Sequence, residues 1–182
     1  MTIWVLLLRG VNVAGANRLP MAEFRALLGE LGCGDVQTYI QSGNAVFQSD
    51  QPKAELESRI AEGIARRFGF RPALFLLRQA QIDAALAANP FPQGAEDPKA
   101  VHLFFLAHPA PDSDLTALDA LATGGEAFVL TDAAFYLYAP NGIGRSALAD
   151  KLPRLLKAPH TARNLRSVQA IAALARTLTP GG

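Results

Sequence analysis

Val36-Gln37-Thr38-Tyr39-Ile40-Gln41-Ser42-Gly43-Asn44-Ala45-Val46-Phe47-Gln48 reads as two short strands, residues 36–41 and 44–48, turning about Ser42-Gly43. A Ser-Gly pair between runs rich in Val, Thr, Tyr and Phe suits a tight hairpin, because glycine reaches positive φ at little cost. Helical patterns flank it on both sides. Upstream, Pro20 opens a helix with the apolar stripe Met21, Phe24, Leu27, Leu28 and Leu31, ended by Gly32 and Gly34. Downstream, Pro52 opens a second helix with Leu56, Ile60, Ile64 and Phe68 four residues apart. Outside these lie residues 3–9, apolar up to Arg9 and therefore a central strand, and residues 73–77, the closing strand. The order strand, helix, strand, strand, helix, strand is that of a ferredoxin-like unit.

The order begins again further along. A helix over 79–88 and a loop rich in Pro, Gly and acid over 89–98 make residues 79–100 a connection between a first half, 1–78, and a second, 101–182. In the second half, 101–107 is a strand and 115–121 a helix capped by Asp112, Ser113 or Asp114. Residues 126–130 and 133–138 form a hairpin across Thr131-Asp132, and 146–156 is a helix that Pro153 kinks or divides. No last strand is read there. A helix over 165–178 takes its place, with Leu165, Val168, Ile171, Ala172, Ala175 and Leu178 inward. The expectation is an α+β protein of two ferredoxin-like halves, βαββαβ followed by a degenerate βαββα unit with a C-terminal helix. The duplication is one of topology, without repeated sequence.

Composition narrows the function classes. Half of the 182 residues are hydrophobic and 18% are charged, enough to bury a core and too apolar for wholesale disorder. The first apolar run is too short to span a membrane and has no basic segment before it, so a soluble cytoplasmic protein without a membrane partner is expected. The single Cys33 rules out an internal disulfide and a cysteine-only metal cage. His102 and His108 bracket one strand, too far apart to share an ion, and no carboxylate cluster has ligand spacing, so no metal is expected. The net charge of +1 hides an asymmetry: residues 79–136 hold one Lys/Arg against eight Asp/Glu, and residues 137–182 hold seven against one. That basic segment either attracts a phosphate-bearing partner or neutralises the acidic middle, and the internal explanation is preferred.

Four constellations are candidate sites. In the first, Arg9, Gly10, Asn12, Gly15, Asn17 and Arg18 follow the opening strand. Backbone N–H groups and two guanidiniums there suit a phosphate or carboxylate; equally, Gly and Asn supply the positive φ of a tight loop. The spacing Gly10-x-x-x-x-Gly15 has Ala16-Asn17 where a phosphate loop needs Lys-Ser/Thr, which argues against a nucleoside triphosphatase. The second is Gln41, Ser42 and Asn44 beside Tyr39, either polar ligands or the residues of a hairpin turn. With the second strand taken as antiparallel to the first, this turn lies at the far end of the sheet from Arg9, roughly 20 Å away at about 3.3 Å per residue.

In the third, Asn141, Gly142, Gly144, Arg145 and Ser146 follow a strand and open a helix, and Gly142, Gly144 and Ala147 fit G-x-G-x-x-A. A hairpin strand precedes it and no Asp or Glu stands about twenty residues on, so a broader anion site at a helix N-terminus is preferred to a dinucleotide. Topologically alike halves are expected to release this loop and the Arg9 loop at corresponding sheet ends. The fourth is Lys157, His160, Thr161, Arg163, Asn164 and Arg166, either a phosphate site or an ordinary helix cap at Thr161 or Asn164. Phe104, Phe105, Tyr136 and Tyr138 read as core; Tyr136 and Tyr138 share a face and stack on bases if exposed.

LLLRGVNVAGANR, TYIQSGNAVFQS, YAPNGIGRSALADKL and TARNLRSV occur in this order, and on these four motifs the chain resembles the bacterial proteins grouped as domain of unknown function 1697, over nearly its full length. The resemblance implies an α+β fold and carries no established activity or catalytic residue. Two departures are Ala14, where it implies Gly, and Ala147, where Lys is common; the latter removes a cation from any anion site there. The resulting expectation is a protein binding a phosphate-bearing or other anionic small ligand through its Gly/Arg loops, with no cofactor specified. One alternative is a nucleic-acid-binding module using a sheet face and the basic C-terminal segment. The other is an enzyme of unassigned chemistry, with Arg9, Asn12 and Arg145 as electrostatic stabilisers and Ser42, Tyr39 or Lys151 as reacting groups.

Overall fold

Strand β1, Thr2–Arg9, sends alternate side chains to opposite faces, and both faces are buried: Trp4, Leu6 and Leu8 on one, Val5 and Leu7 on the other. That double burial follows from its uninterrupted apolar run and makes it a central strand. The computed structural model describes residues 1–178. After β1 come α1 (Met21–Glu30), β2 (Gly34–Tyr39), β3 (Asn44–Ser49), α2 (Lys53–Phe68), β4 (Ala73–Arg78) and α3 (Gln79–Ala87). Then follow β5 (Val101–Leu106), α4 (Leu115–Leu121), β6 (Ala127–Leu130), β7 (Ala134–Tyr138), α5 (Ala147–Leu155), β8 (His160–Asn164) and α6 (Leu165–Arg176). The described residues form an α+β protein with two four-stranded antiparallel sheets and six α-helices. Two compact units divide the chain, one of Met1–Ala84 with the described part of Gln169–Gly182, the other of Ala85–Val168.

In the first unit the strand order is β2-β3-β1-β4. β1 is antiparallel to both β3 and β4, with Leu7 opposite Asn44 and Phe75, and β2 is antiparallel to β3. Hence β2 runs parallel to β1. Trp4, Leu6, Leu8, Ala45, Phe47 and Leu76 pack on Phe24, Leu27 and Leu28 of α1 and on Leu56, Ile60 and Ile64 of α2. Each fully buried Leu or Phe contributes about 2 kcal/mol. Both helices start on proline, Pro20 and Pro52, without a side-chain cap, and α2 stops at Gly69 with φ +79°.

In the second unit the order is β6-β7-β5-β8, with β5 antiparallel to β7 and β8. Phe104, Leu106, Phe135 and Leu137 of this sheet pack on Leu118 of α4 and on Leu148 and Leu152 of α5. Asp114 is the cap of α4, accepting from the Ala117 N–H at 2.9 Å. The missing last strand is a correction: His160–Asn164 is a strand, pairing with β5 so that Arg163 faces Leu103. His-Thr-Ala-Arg-Asn lacks the apolar signature because β8 is an edge strand with one hydrogen-bonded neighbour, where polar residues are tolerated. The second unit therefore repeats the whole element order of the first and is not degenerate. Pro153 does not divide α5, which runs from Ala147 to Leu155 as one helix.

Candidate functional site

The strand directions bring together two loops that the sequence had placed apart. Since β3 is antiparallel to β1 and begins opposite Leu7, the turn 40–43 lies beside the end of β1. The Leu8 N–H donates to the Gly43 carbonyl at 2.9 Å, and Asn12 Nδ2 donates to the Gln41 carbonyl at 2.7 Å. The expected separation of roughly 20 Å at 3.3 Å per residue fails because α1 carries the chain back across the sheet and returns β2 parallel to β1. Both loops belong to one sheet end.

Most polar side chains of these loops are occupied in building them. Asn12 accepts from the Leu19 N–H at 2.8 Å and donates to the Leu19 carbonyl at 2.9 Å and to Gln41. Asn17 Nδ2 donates to the Gly10 carbonyl at 2.9 Å. Gly10, Asn12, Ala14, Gly15 and Asn17 all have positive φ, so the turn reading of this segment holds for its asparagines and glycines. Asn44 is fully buried and donates to the Tyr39 carbonyl at 3.1 Å and to Ser42 Oγ at 3.0 Å, closing the hairpin.

What the two loops frame is a groove of about 440 Å³ lined by Asn12, Arg18, Arg25, Gln41 and the start of α1 at Leu19–Ala22. Pro20 brings no side-chain acceptor to the first turn of α1, so the positive end of that helix faces the groove without a side-chain cap. Arg25 is held by a 2.7 Å hydrogen bond from Nη1 to Thr38 Oγ1. Sequence reading missed Arg25; its signal was an arginine in the opening turns of a helix just after Arg18. Arg9 belongs elsewhere: it alternates with Leu6 and Leu8, which face α1 and α2, and so lies on the opposite face with Val5 and Leu7.

The loops of the second unit are filled from within the protein. Asn141 Nδ2 donates to the Gly124 carbonyl at 2.8 Å, Gly142 has φ +88°, and Ile143–Arg145 make one 3₁₀ turn. Ser146 caps α5, accepting from the Ala149 N–H at 3.2 Å. The Glu126 carboxylate accepts from the Gly124 N–H at 2.7 Å, and hydrogen bonds from its own N–H and from the Ser146 hydroxyl hold its carboxyl below the usual carboxylate range. An anion of the protein already sits at this helix start. Nor does this loop correspond to the Arg9 loop: it follows β7, whose end lies beside the start of β5, with the Ala139 N–H on the Ala100 carbonyl at 2.8 Å. Its counterpart in the first unit is the turn after β3. Arg145 and Gly144 are exposed.

Of the fourth constellation, Asn164 is the helix cap, accepting from the Ser167 N–H at 2.8 Å, and Thr161 lies buried in β8. Arg163 Nη1 donates to Thr161 Oγ1 at 2.9 Å and to the Ala162 carbonyl at 2.8 Å; burial lowers its pKa to about 10, which leaves it charged at neutral pH. The aromatic pair offers no stacking platform, because Tyr136 is 1% exposed and donates its hydroxyl to the Ala85 carbonyl at 2.8 Å. Among the described residues no group of three or more His, Cys, Asp or Glu is placed to hold a metal ion, and no helix is long and apolar enough to cross a membrane.

A family model described as "Protein of unknown function (DUF1697)" matches residues 1–136. The chain belongs to the DUF1697 family. The matched span holds the groove and both loops that frame it, while the motifs around Gly142 and Arg163 lie beyond it. Among solved structures, this DUF1697 member is similar to the conserved bacterial protein SP0830 from Streptococcus pneumoniae, at 26% identity and a TM-score of 0.72, over 96% of this chain and 98% of that one. No curated protein matches it.

Proposed function

We propose that this DUF1697 protein binds a small anionic molecule, one bearing a phosphate or carboxylate, in the groove between the Arg18 loop and the start of α1. The observation that carries the reading is that the first turn of α1, without a side-chain cap, lines one groove together with Arg18 and Arg25. Backbone N–H groups and a helix dipole favour an anion there, and arginine forks match its oxygens in pairs. Glu23 shares that first turn, so the two arginines must hold most of the ligand's charge. We further read each unit as ferredoxin-like, a reading supported by strand orders β2-β3-β1-β4 and β6-β7-β5-β8 with antiparallel neighbours.

Thermal unfolding across a panel of nucleotides, sugar phosphates and carboxylates tests the proposal. A ligand at about a hundred times its Kd adds roughly 2.7 kcal/mol, a shift of a few degrees for a chain of this size. The expected result is a shift that Arg18→Ala and Arg25→Ala each remove and Arg9→Ala leaves in place. A panel without any shift, or a shift sensitive only to Arg9→Ala, overturns it.

A further inference from the structure

The basic C-terminal segment is not balanced by ion pairs where its charge is densest. Lys151 and Arg154 lie three residues apart on the last turns of α5, Lys157 follows two residues past its end, and all three are exposed. Together with Leu155 they line a hollow of about 300 Å³. Lys151 pairs with Asp150 at 2.8 Å, but Arg154 and Lys157 have no ion pair among the described residues. Lys157 Nζ instead donates to the Arg154 carbonyl at 2.9 Å, which holds its ammonium at the helix end.

We propose that this hollow is a second anion site, separate from the groove at Arg18, and that it takes a compact polyphosphate such as pyrophosphate or the diphosphate end of a small molecule. Three cations lining one hollow favour a group that carries more than a single negative charge. The neighbouring acids select for compactness. The Lys157 N–H on Ser113 Oγ at 3.0 Å and the Asp114 N–H on the Leu155 carbonyl at 3.1 Å bring the loop carrying Asp112 and Asp114 against this end of α5, and Asp150 pairs with Lys151. A small group seated in the hollow stays nearer the cations than the acids, whereas an extended polyanion must pass the carboxylates.

Calorimetric titration of sodium pyrophosphate into the full chain at low salt is the test. Binding is expected to weaken at least about tenfold in Lys151→Gln and in Arg154→Gln, the loss of a charge-assisted hydrogen bond, and to stay unchanged in Arg18→Ala. Circular dichroism checks that both exposed substitutions leave the fold intact. No binding by the wild type overturns the proposal. So does binding lost only in Arg18→Ala, which supports the groove of the first unit instead, or binding of a single-stranded oligonucleotide in place of pyrophosphate, which marks a nucleic-acid surface.

Discussion

Gly43 and Gly10 have the same φ of +74° and different surroundings, which separates two reasons for needing glycine. A Cβ on Gly10 meets nothing within 4 Å, whereas one on Gly43 lies 2.6 Å from Val11 Cγ2 and 2.8 Å from Leu8 Cβ. Gly10→Ala is therefore expected to cost about 1 kcal/mol, the left-handed penalty alone. Gly43→Ala is expected to cost roughly 2 kcal/mol more, because buried Leu8 and Val11 must shift. Urea unfolding of both variants reads the difference, and equal losses would show that the hairpin yields without cost. The Ser42-Gly43 pair announced a turn residue in the sequence. Its close approach to Val11 and Leu8 was not legible, since it depends on which strand lies beside the hairpin.

Asn12 ties the loop after β1 to the hairpin, and its bonds divide cleanly between acceptor and donor. Asn12→Asp keeps the oxygen that accepts from the Leu19 N–H and loses both donated bonds; Asn12→Ala loses all of them. Each is expected to cost at least about 1–3 kcal/mol, since Asn12→Asp also sets a carboxylate oxygen against the Leu19 and Gln41 carbonyls. Hydrogen exchange gives the sharper reading: the Leu19 amide stays protected in Asn12→Asp and becomes exchangeable in Asn12→Ala. If it exchanges equally in both, the Asn12 oxygen is not its partner. The caps at Asp114 and Asn164 were each among two or three candidates that the sequence offered, because a cap needs only local spacing. Strand β8 was not, because its pairing with β5 is made across more than fifty residues of chain.

Buried titratable groups in both units are expected to limit the pH range over which the molecule is stable. Burial pushes the Cys33 thiol from 9.0 up to about 11, against a smaller opposing pull from Arg59, and burial also raises Tyr136. The folded protein thus holds these protons more tightly than the unfolded chain. The Cys33 contribution is full below about pH 9 and is lost as pH rises toward 11, and that of Tyr136 is lost above its ordinary value of 10. Burial holds the His102 imidazole below its ordinary value of 6.5, so its contribution is present above that pH and is lost as pH falls below it. Urea midpoints measured across pH are expected to form a plateau from about 6.5 to 9 with losses on both sides. Cys33→Ala should flatten the alkaline slope and His102→Leu the acid slope, whatever either does to the plateau height. Unchanged slopes would mean that other groups set both limits.

The α+β class, most element positions, the central place of β1 and the two-part element order were all readable from periodicity, prolines and glycines, which are local properties of the chain. The candidate loops were readable for the same reason: Gly, Asn and Arg cluster where a strand ends. Which of those side chains face a shared groove was not. Asn12, Asn17 and Asn44 turned out to be spent on the backbone, Arg9 to lie on the other face, and Arg25 to join Arg18 at the start of α1. That choice rests on β2 returning parallel to β1, which puts the hairpin beside the opening loop. Strand direction is set by how α1 crosses and packs on the whole sheet, a long-range arrangement that no window of neighbouring residues contains.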